Sequence, residues 1–208
     1  MIAWKKLSPD VVREWFAALK PKDQEEKRKS QGRFFFDRGD RARLGRCVSL
    51  EEVAQEPCVW ALEDALNVEK TCPRAFPEAL FLIAAVLAKV KEDTKSGKSL
   101  AGQLGRASVG KDENPPLSML RFQRMMRSKS AEEILTQVRR AVQIGDGKAD
   151  VAVLAEDLLD WVLEGDAADR RSKSMKFRWA KEYYLTGKEQ KASEAMQADI
   201  AAVGTEEA

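Results

Sequence analysis

The chain has 208 residues, of which 44% are hydrophobic and 34% are charged, against a usual charged share of about 25%. A chain of this length and composition can bury the core of one large domain or two small ones, so a largely disordered protein is excluded. The longest apolar run, Ala79 to Ala88, is shorter than the about 20 residues that cross a bilayer, which excludes a transmembrane role.

The histidine and cysteine content argues against a metal centre. The sequence has no histidine, and Cys47, Cys58 and Cys72 lie 11 and 14 positions apart, a spacing that matches no zinc or redox motif. Three cysteines cannot all pair internally, and no segment resembles a signal peptide, so we expect buried, reduced thiols in a cytoplasmic protein. We predict no metal and no cofactor.

The net charge of +2 conceals blocks of opposite sign. Residues 1–50 and 91–145 are basic, with 13 basic against 7 acidic side chains and 11 against 6. Residues 51–90 and 146–208 are acidic, with 3 basic against 7 acidic and 9 against 14. Two basic blocks could present a positive face to a polyanion. Mixed charges on the solvated faces of helices would explain the same counts.

In chain order, the first half predicts a series of helices. Ser8 and Pro9 are typical of a helix start, and the capping box Ser49–Glu52 starts a further helix that Pro57 interrupts or restarts. The apolar run 79–88 predicts a helix buried at the centre of a bundle. We interpret the large aromatic residues at helical spacing as core anchors, namely Trp15, Phe16, Trp60, Phe81 and Trp161.

The second half also predicts helices. One helix has an apolar face that we assign to Leu117, Leu120, Met125 and Met126. A capping box at Ser130–Glu133 opens the next, and helices over 151–163 and within 170–185 follow.

No alternating β pattern is present, so the predicted fold class is all-α. We expect two small helical bundles, an N-terminal one over 8–92 and a C-terminal one over 99–187, joined by the flexible polar connection 91–99. The segment 22–31 has no apolar residue and predicts a solvated helix extension or loop, and 188–208 predicts a frayed tail.

The chain offers no convincing catalytic arrangement. Gly97-Lys98-Ser99 resembles the end of a phosphate-binding loop, but Glu92 stands where that motif needs glycine. The absence of histidine excludes Ser–His and Cys–His pairs. We therefore predict that the protein is not an enzyme.

Arginines three residues apart form a candidate binding surface. Arg121, Arg124 and Arg127 would form a stripe along one side of a helix, and Lys129 extends it. The pair Arg139-Arg140 flanks the apolar face of the next helix, so an antiparallel arrangement of the two helices could bring both sets to one side. Such a surface binds phosphates without sequence preference. Simple solvation of two helices remains the alternative.

Short motifs occur in a definite order along most of the chain. They are the helix around Trp15 and Leu19, Asp40–Cys47, Ser49–Val53, Leu104–Ala107, Arg121–Arg127 leading through Ala131–Leu135 to Gln137–Arg140, Leu158–Trp161 and Arg178–Tyr184. In this order and spacing, the sequence resembles the small subunit (CasB family) of the type I-E CRISPR surveillance complex, Cascade.

The resemblance implies a non-catalytic all-α subunit of two helical bundles. It implies contacts with the guide-wrapping backbone subunits, the large subunit, a second copy of the chain, guide RNA and target DNA. By position, the DNA-facing residues that the resemblance implies are Arg46, Arg74, Lys95, Arg106, Arg127, Lys129, Arg140, Lys173 and Lys176. Spacing alone adds Arg121, Arg124 and Arg139.

The sequence therefore predicts a subunit that stabilises the R-loop, the displaced strand in particular, by sequence-neutral phosphate contacts. R-loop exchange is near balance, so such contacts can tip it. The alternative is a helical scaffold whose basic faces meet acidic partner proteins and never bind nucleic acid. A helix-turn-helix regulator fits poorly, because an arginine stripe would read every base sequence alike.

Overall fold

The computed structural model describes residues 7–20, 33–37, 39–66, 76–105, 114–164 and 175–184, and these residues are predominantly helical. The all-α prediction is confirmed. In chain order the elements are α1 (Pro9–Ala18), α2 (Asp40–Arg46), α3 (Leu50–Val53), α4 (Pro57–Leu66), α5 (Phe76–Leu87), β1 (Glu92–Asp93), α6 (Leu100–Leu104), α7 (Met119–Met126), α8 (Ala131–Ile144), β2 (Lys148–Ala149), α9 (Val151–Glu164) and α10 (175–184).

Cys72, the segment 22–31 and the tail 188–208 lie outside the described residues. Cys47 and Cys58 are free thiols and buried, as predicted. Within the described ranges, every helix is too short or too polar to cross a membrane.

Side-chain caps fix the starts of two helices. The Ser49 hydroxyl accepts a hydrogen bond from the Glu52 backbone N–H at 3.3 Å, at the start of α3. The Ser130 hydroxyl accepts one from the Glu133 N–H at 3.3 Å, at the start of α8. Both predicted capping boxes are confirmed, and each satisfies an N–H that has no partner within its own helix.

The central helix is α5, as its apolar sequence predicts. It packs against α2, α3, α4, α8 and α9, and α1 packs against α9. The side chains of residues 82–87 are at most 2% exposed. One hydrophobic cluster includes helices before and after the connection 91–99. The division into two bundles stays a prediction, and its two parts share this core.

The connection 91–99 is tied to the rest of the fold. Its strand β1 pairs in parallel with β2. The Asp150 carboxylate, directly after β2, accepts a hydrogen bond from the Gly97 N–H at 2.8 Å and forms an ion pair with Arg13 of α1 at 3.1 Å. The two-residue strands β1 and β2 are too short to show an alternating pattern in the sequence, and the fold remains predominantly helical, as predicted.

The aromatic residues do not all occupy the core. Trp15 and Phe16 are buried, as predicted. Trp60 is 46% exposed, which corrects its assignment as a core anchor. Its indole N–H donates to a backbone carbonyl at 2.8 Å, and its ring meets Phe81 edge-on at 5.4 Å. Phe81 and Trp161 are partly buried at the edge of the core.

A buried carboxylate holds α10 against α9. Asp157 is 1% exposed, accepts a hydrogen bond from the Trp179 indole N–H at 2.8 Å, and forms an ion pair with Arg178. Burial raises the pKa of Asp157 to about 6, against the lowering effects of Arg178 and Trp179. The folded chain therefore holds the Asp157 proton more tightly than the unfolded chain, in which the pKa is about 3.9.

We expect this carboxylate to make stability depend on pH. Stability contributed by protonated Asp157 is fully present below about pH 4 and is lost as the pH rises through about 6, by at most about 3 kcal/mol. Asp157→Asn removes this contribution, so the difference in free energy of unfolding between wild type and variant should change over that range. Urea unfolding at several pH values measures it. Asp160→Asn is the control, because Asp160 lies on the same helix and also forms an ion pair with Arg178. A difference that is constant with pH would contradict the prediction.

Candidate nucleic-acid interface

Two helices that carry four of the predicted binding residues, Arg121, Arg124, Arg139 and Arg140, pack against each other. These are α7 and α8. Phe122 and Met125 bury the inner face of α7, and the Phe122 ring stacks on Tyr183 of α10 at 4.1 Å. Leu120 is 70% exposed, which corrects its assignment to the apolar face. The face that α7 buries is set by Tyr183, which is distant in sequence, so the helical spacing around Leu120 could not reveal it.

A cavity of about 410 Å³ is lined by residues of α7 and α8, and we call it the arginine cleft. Arg121 and Arg124 of α7 line it, together with Gln137, Arg140 and Gln143 of α8. Residues three apart are neighbours on a helix surface, so each helix contributes one row of polar side chains. The two glutamines were missed from the sequence, although their spacing of three on either side of Arg140 is the same signal that drew attention to the arginines.

The charge of the arginine cleft is uncompensated in the described part of the chain. Arg121, Arg124 and Arg140 are exposed. None of them forms an ion pair or a side-chain hydrogen bond with another described residue, and no described carboxylate lines the cleft. Three guanidinium groups in one cavity favour an anion, and their planar forks match phosphate and carboxylate oxygens.

A second basic group lies where α7 ends and α8 begins, and we call Arg127, Lys129 and Lys176 the basic turn. Lys176 of α10 donates a hydrogen bond to the Ser128 carbonyl at 3.4 Å. Ser128 stands between Arg127 and Lys129 in the sequence, so this bond brings the Lys176 ammonium close to the backbone of both residues. Arg127 and Lys129 are exposed. Since Arg127 follows Arg124 by one helical turn, the basic turn extends the α7 row of the arginine cleft.

Arg139 lies inside the fold and not on this surface. Its guanidinium donates to the Ala85 carbonyl at 3.0 Å, the Cys47 carbonyl at 2.6 Å and the Leu44 carbonyl at 2.9 Å. Burial lowers the pKa of Arg139. Adjacent helical residues point about 100° apart, so Arg140 lines the cleft while Arg139 cross-links α2, α5 and α8. This corrects the expectation that both flank one binding surface.

The remaining candidates lie apart or outside the description. Arg46 is exposed at the end of α2, where its Nε donates to the Ala42 carbonyl at 3.1 Å. Lys95 is exposed in the connection 91–99 at a φ of 48°. Neither of these two side chains lines the arginine cleft. Arg74, Arg106 and Lys173 lie outside the described residues.

One further cluster has metal-ligand chemistry but carries its own cation. Oxygen and sulfur atoms of Asp40, Glu56 and Cys58 lie within 4.8 Å of one another. Arg43 forms ion pairs with Asp40 and with Glu56, the latter at 3.0 Å. Burial raises the pKa of Cys58 to about 12, which disfavours the thiolate that a metal needs. We therefore interpret the cluster as an internal ion-pair network.

Comparison with known proteins identifies the family. The family of the CRISPR-associated protein Cse2 matches residues 40–184, a range that contains the arginine cleft and the basic turn. The CRISPR-associated protein Cse2 of Thermus thermophilus is 33% identical over 115 residues, which are 53% of this chain and 58% of that relative. The chain thus spans less than two thirds of that relative's length. No solved structure matches the chain significantly.

The family match covers more than half of the chain, and its range contains every motif named above except the helix around Trp15 and Leu19. It confirms the resemblance to the small subunit of the type I-E Cascade. The chain belongs to the CRISPR-associated Cse2 family.

Proposed function

We propose that this chain is a non-catalytic small subunit of a type I-E Cascade that stabilises the R-loop by binding nucleic-acid phosphates. The observation that carries the proposal is the arginine cleft, in which three arginines line one cavity without a described carboxylate. Phosphate contacts of this kind do not depend on base sequence. A subunit that must accept any target needs such contacts.

The mechanism follows from the energetics of the R-loop. The guide–target heteroduplex is about as stable as the DNA duplex that it replaces. The open R-loop and the reannealed DNA duplex therefore differ little in free energy. Arg121, Arg124 and Arg140 would hold phosphates of that strand, and the basic turn would continue the path. Each held phosphate releases counterions and so favours the open state.

We propose protein partners for the chain as well as a nucleic-acid ligand. The chain would work in the cytoplasm beside the guide-wrapping backbone subunits, the large subunit and a second copy of itself, close to guide RNA and target DNA. Its exposed charges hold phosphates and do no chemistry.

A second candidate is a protein scaffold without nucleic-acid binding. Met119 and Leu120, at the start of α7, are 54% and 70% exposed directly before Arg121. Exposed apolar side chains next to cations suit a contact with an acidic protein surface. Under this alternative, the arginine cleft would meet carboxylates.

Salt-dependent binding distinguishes the two candidates. We expect the full chain to bind single-stranded DNA with an affinity that falls steeply with salt. Three cleft contacts alone give a slope of about −2 in a plot of log affinity against log salt concentration. Fluorescence anisotropy with a labelled oligonucleotide measures it, with poly-glutamate of equal charge as the competitor. Absent DNA binding, or stronger binding of poly-glutamate, would favour the scaffold.

A further inference from the structure

We propose that the arginine cleft takes an unpaired nucleobase together with its phosphate, so that the protein prefers single-stranded nucleic acid to any other polyanion. This inference rests on the proposed function and names the part of the ligand that enters the cavity. Phosphate binding accounts for the arginines that line the cleft, but not for its apolar side chains.

The apolar part of the cleft has no role in binding phosphate alone. Leu117, which precedes α7, Met125 of α7, and Ala141 and Ile144 of α8 also line the cavity, and they are less exposed than the three arginines. Phosphate oxygens gain nothing from aliphatic surface, whereas the face of a base is apolar and polarisable. A thioether next to an aromatic ring is a favourable contact. The cavity volume of about 410 Å³ lies in the range of about 300–1,000 Å³ that holds small organic ligands.

The polar part of the cleft suits the edge and the face of a base. Gln137 and Gln143 each offer a donor and an acceptor, which is what the mixed edges of nucleobases require. Guanidinium groups stack on base faces as well as bind phosphate. Neither glutamine forms a side-chain hydrogen bond with another described residue, so both amides are available.

These features favour a nucleotide over an acidic peptide. Carboxylates would use the three arginines and the amide nitrogens of the glutamines, but would leave the apolar lining and the two amide oxygens without a partner. A paired base cannot enter a cavity between two helices, because its edge and faces are already occupied in the duplex. The ligand class is therefore single-stranded nucleic acid with at least one base turned into the cleft.

Removal of the bases at constant charge tests the inference. The full chain is titrated with a thymidine oligonucleotide and with an abasic oligonucleotide of equal length and equal phosphate number. We expect the abasic strand to bind at least about fivefold more weakly, the lower end of what one stacked base contributes. The variant Gln137→Ala/Gln143→Ala should weaken binding of the thymidine strand and leave the abasic strand unchanged. The matched control is Gln55→Ala/Gln123→Ala, one exposed and one half-buried glutamine outside the cleft.

Three other results would overturn the base pocket, and one of them would overturn the proposed function as well. Equal binding of both strands, with a steep salt slope, would overturn the base pocket and leave the proposed function standing. If neither strand binds, the proposed function and the base pocket fall together. If poly-glutamate of equal charge displaces the thymidine strand as well as unlabelled thymidine strand does, the cleft is a general anion surface and the base pocket is overturned.

Discussion

Replacement of Arg139 by alanine is expected to lower the free energy of unfolding by about 3 kcal/mol, because a buried carbonyl left without a partner costs about 1–3 kcal/mol. Three carbonyls depend on this guanidinium, those of Leu44, Cys47 and Ala85. Water can reach part of the half-buried site, so the full sum is not expected.

The backbone around Arg139 shows why no other donor replaces it. At the end of α5, the Lys89 N–H donates to the Val86 carbonyl at 2.9 Å, so the Ala85 carbonyl is not used by the helix. Helix ends leave such carbonyls unpaired unless a side chain reaches them. Arg139 supplies that side chain for two helices at once.

Adjacent positions provide the control for this prediction. Arg140→Ala should change stability by about 0.5 kcal/mol or less, as exposed substitutions do. Arg139→Lys should recover only part of the loss, because an ammonium lacks the planar fork that reaches several carbonyls. Urea denaturation measures all three variants. If Arg139→Ala is as stable as Arg140→Ala, the internal cross-link is wrong.

Replacement of Arg121, Arg124 and Arg140 together by glutamine is expected to weaken single-stranded DNA binding about tenfold. Each exposed contact contributes about 0.5 kcal/mol, and the loss of all three, about 1.5 kcal/mol, corresponds to that factor. The magnitude of the salt slope should fall by about 2, because each lost phosphate contact on a single strand removes about 0.7. The fold should be unaffected, since the three side chains are exposed.

A control with the same change in charge separates position from net charge. Lys91, Lys98 and Lys148 are exposed and do not line the arginine cleft. Their joint replacement by glutamine should leave most of the affinity and most of the salt slope. If the two triple variants bind DNA equally, general charge and not the cleft accounts for binding.

The sequence predicted the helices well because their signals are local. The capping boxes at Ser49 and Ser130 and the apolar run within α5 each act over a few residues, and the structure confirms all three. The row on α7 was also found from a spacing of three residues, which places side chains together on a helix, whereas the two glutamines of the α8 row were missed.

The sequence-based predictions were wrong for residues whose burial depends on contacts with a distant part of the chain. Leu120 is exposed because α7 turns Phe122 towards Tyr183 of α10. Arg139 is internal because carbonyls of α2 and α5 come within reach of α8. Trp60 is exposed because α4 buries Cys58, Val59 and Leu62. Periodicity within one segment contains no information about these contacts.

The lifetime of the R-loop tests the central claim most directly. The complex is assembled from guide RNA and the other subunits with wild-type chain, with the Arg121→Gln/Arg124→Gln/Arg140→Gln variant, or without this chain, and reannealing of a labelled displaced strand with the target strand is followed after salt addition. We predict that the wild-type chain joins the complex and gives the longest lifetime, and that the variant joins but shortens the lifetime about tenfold, in line with the loss of three phosphate contacts. A lifetime that is the same in all three assemblies would contradict the account.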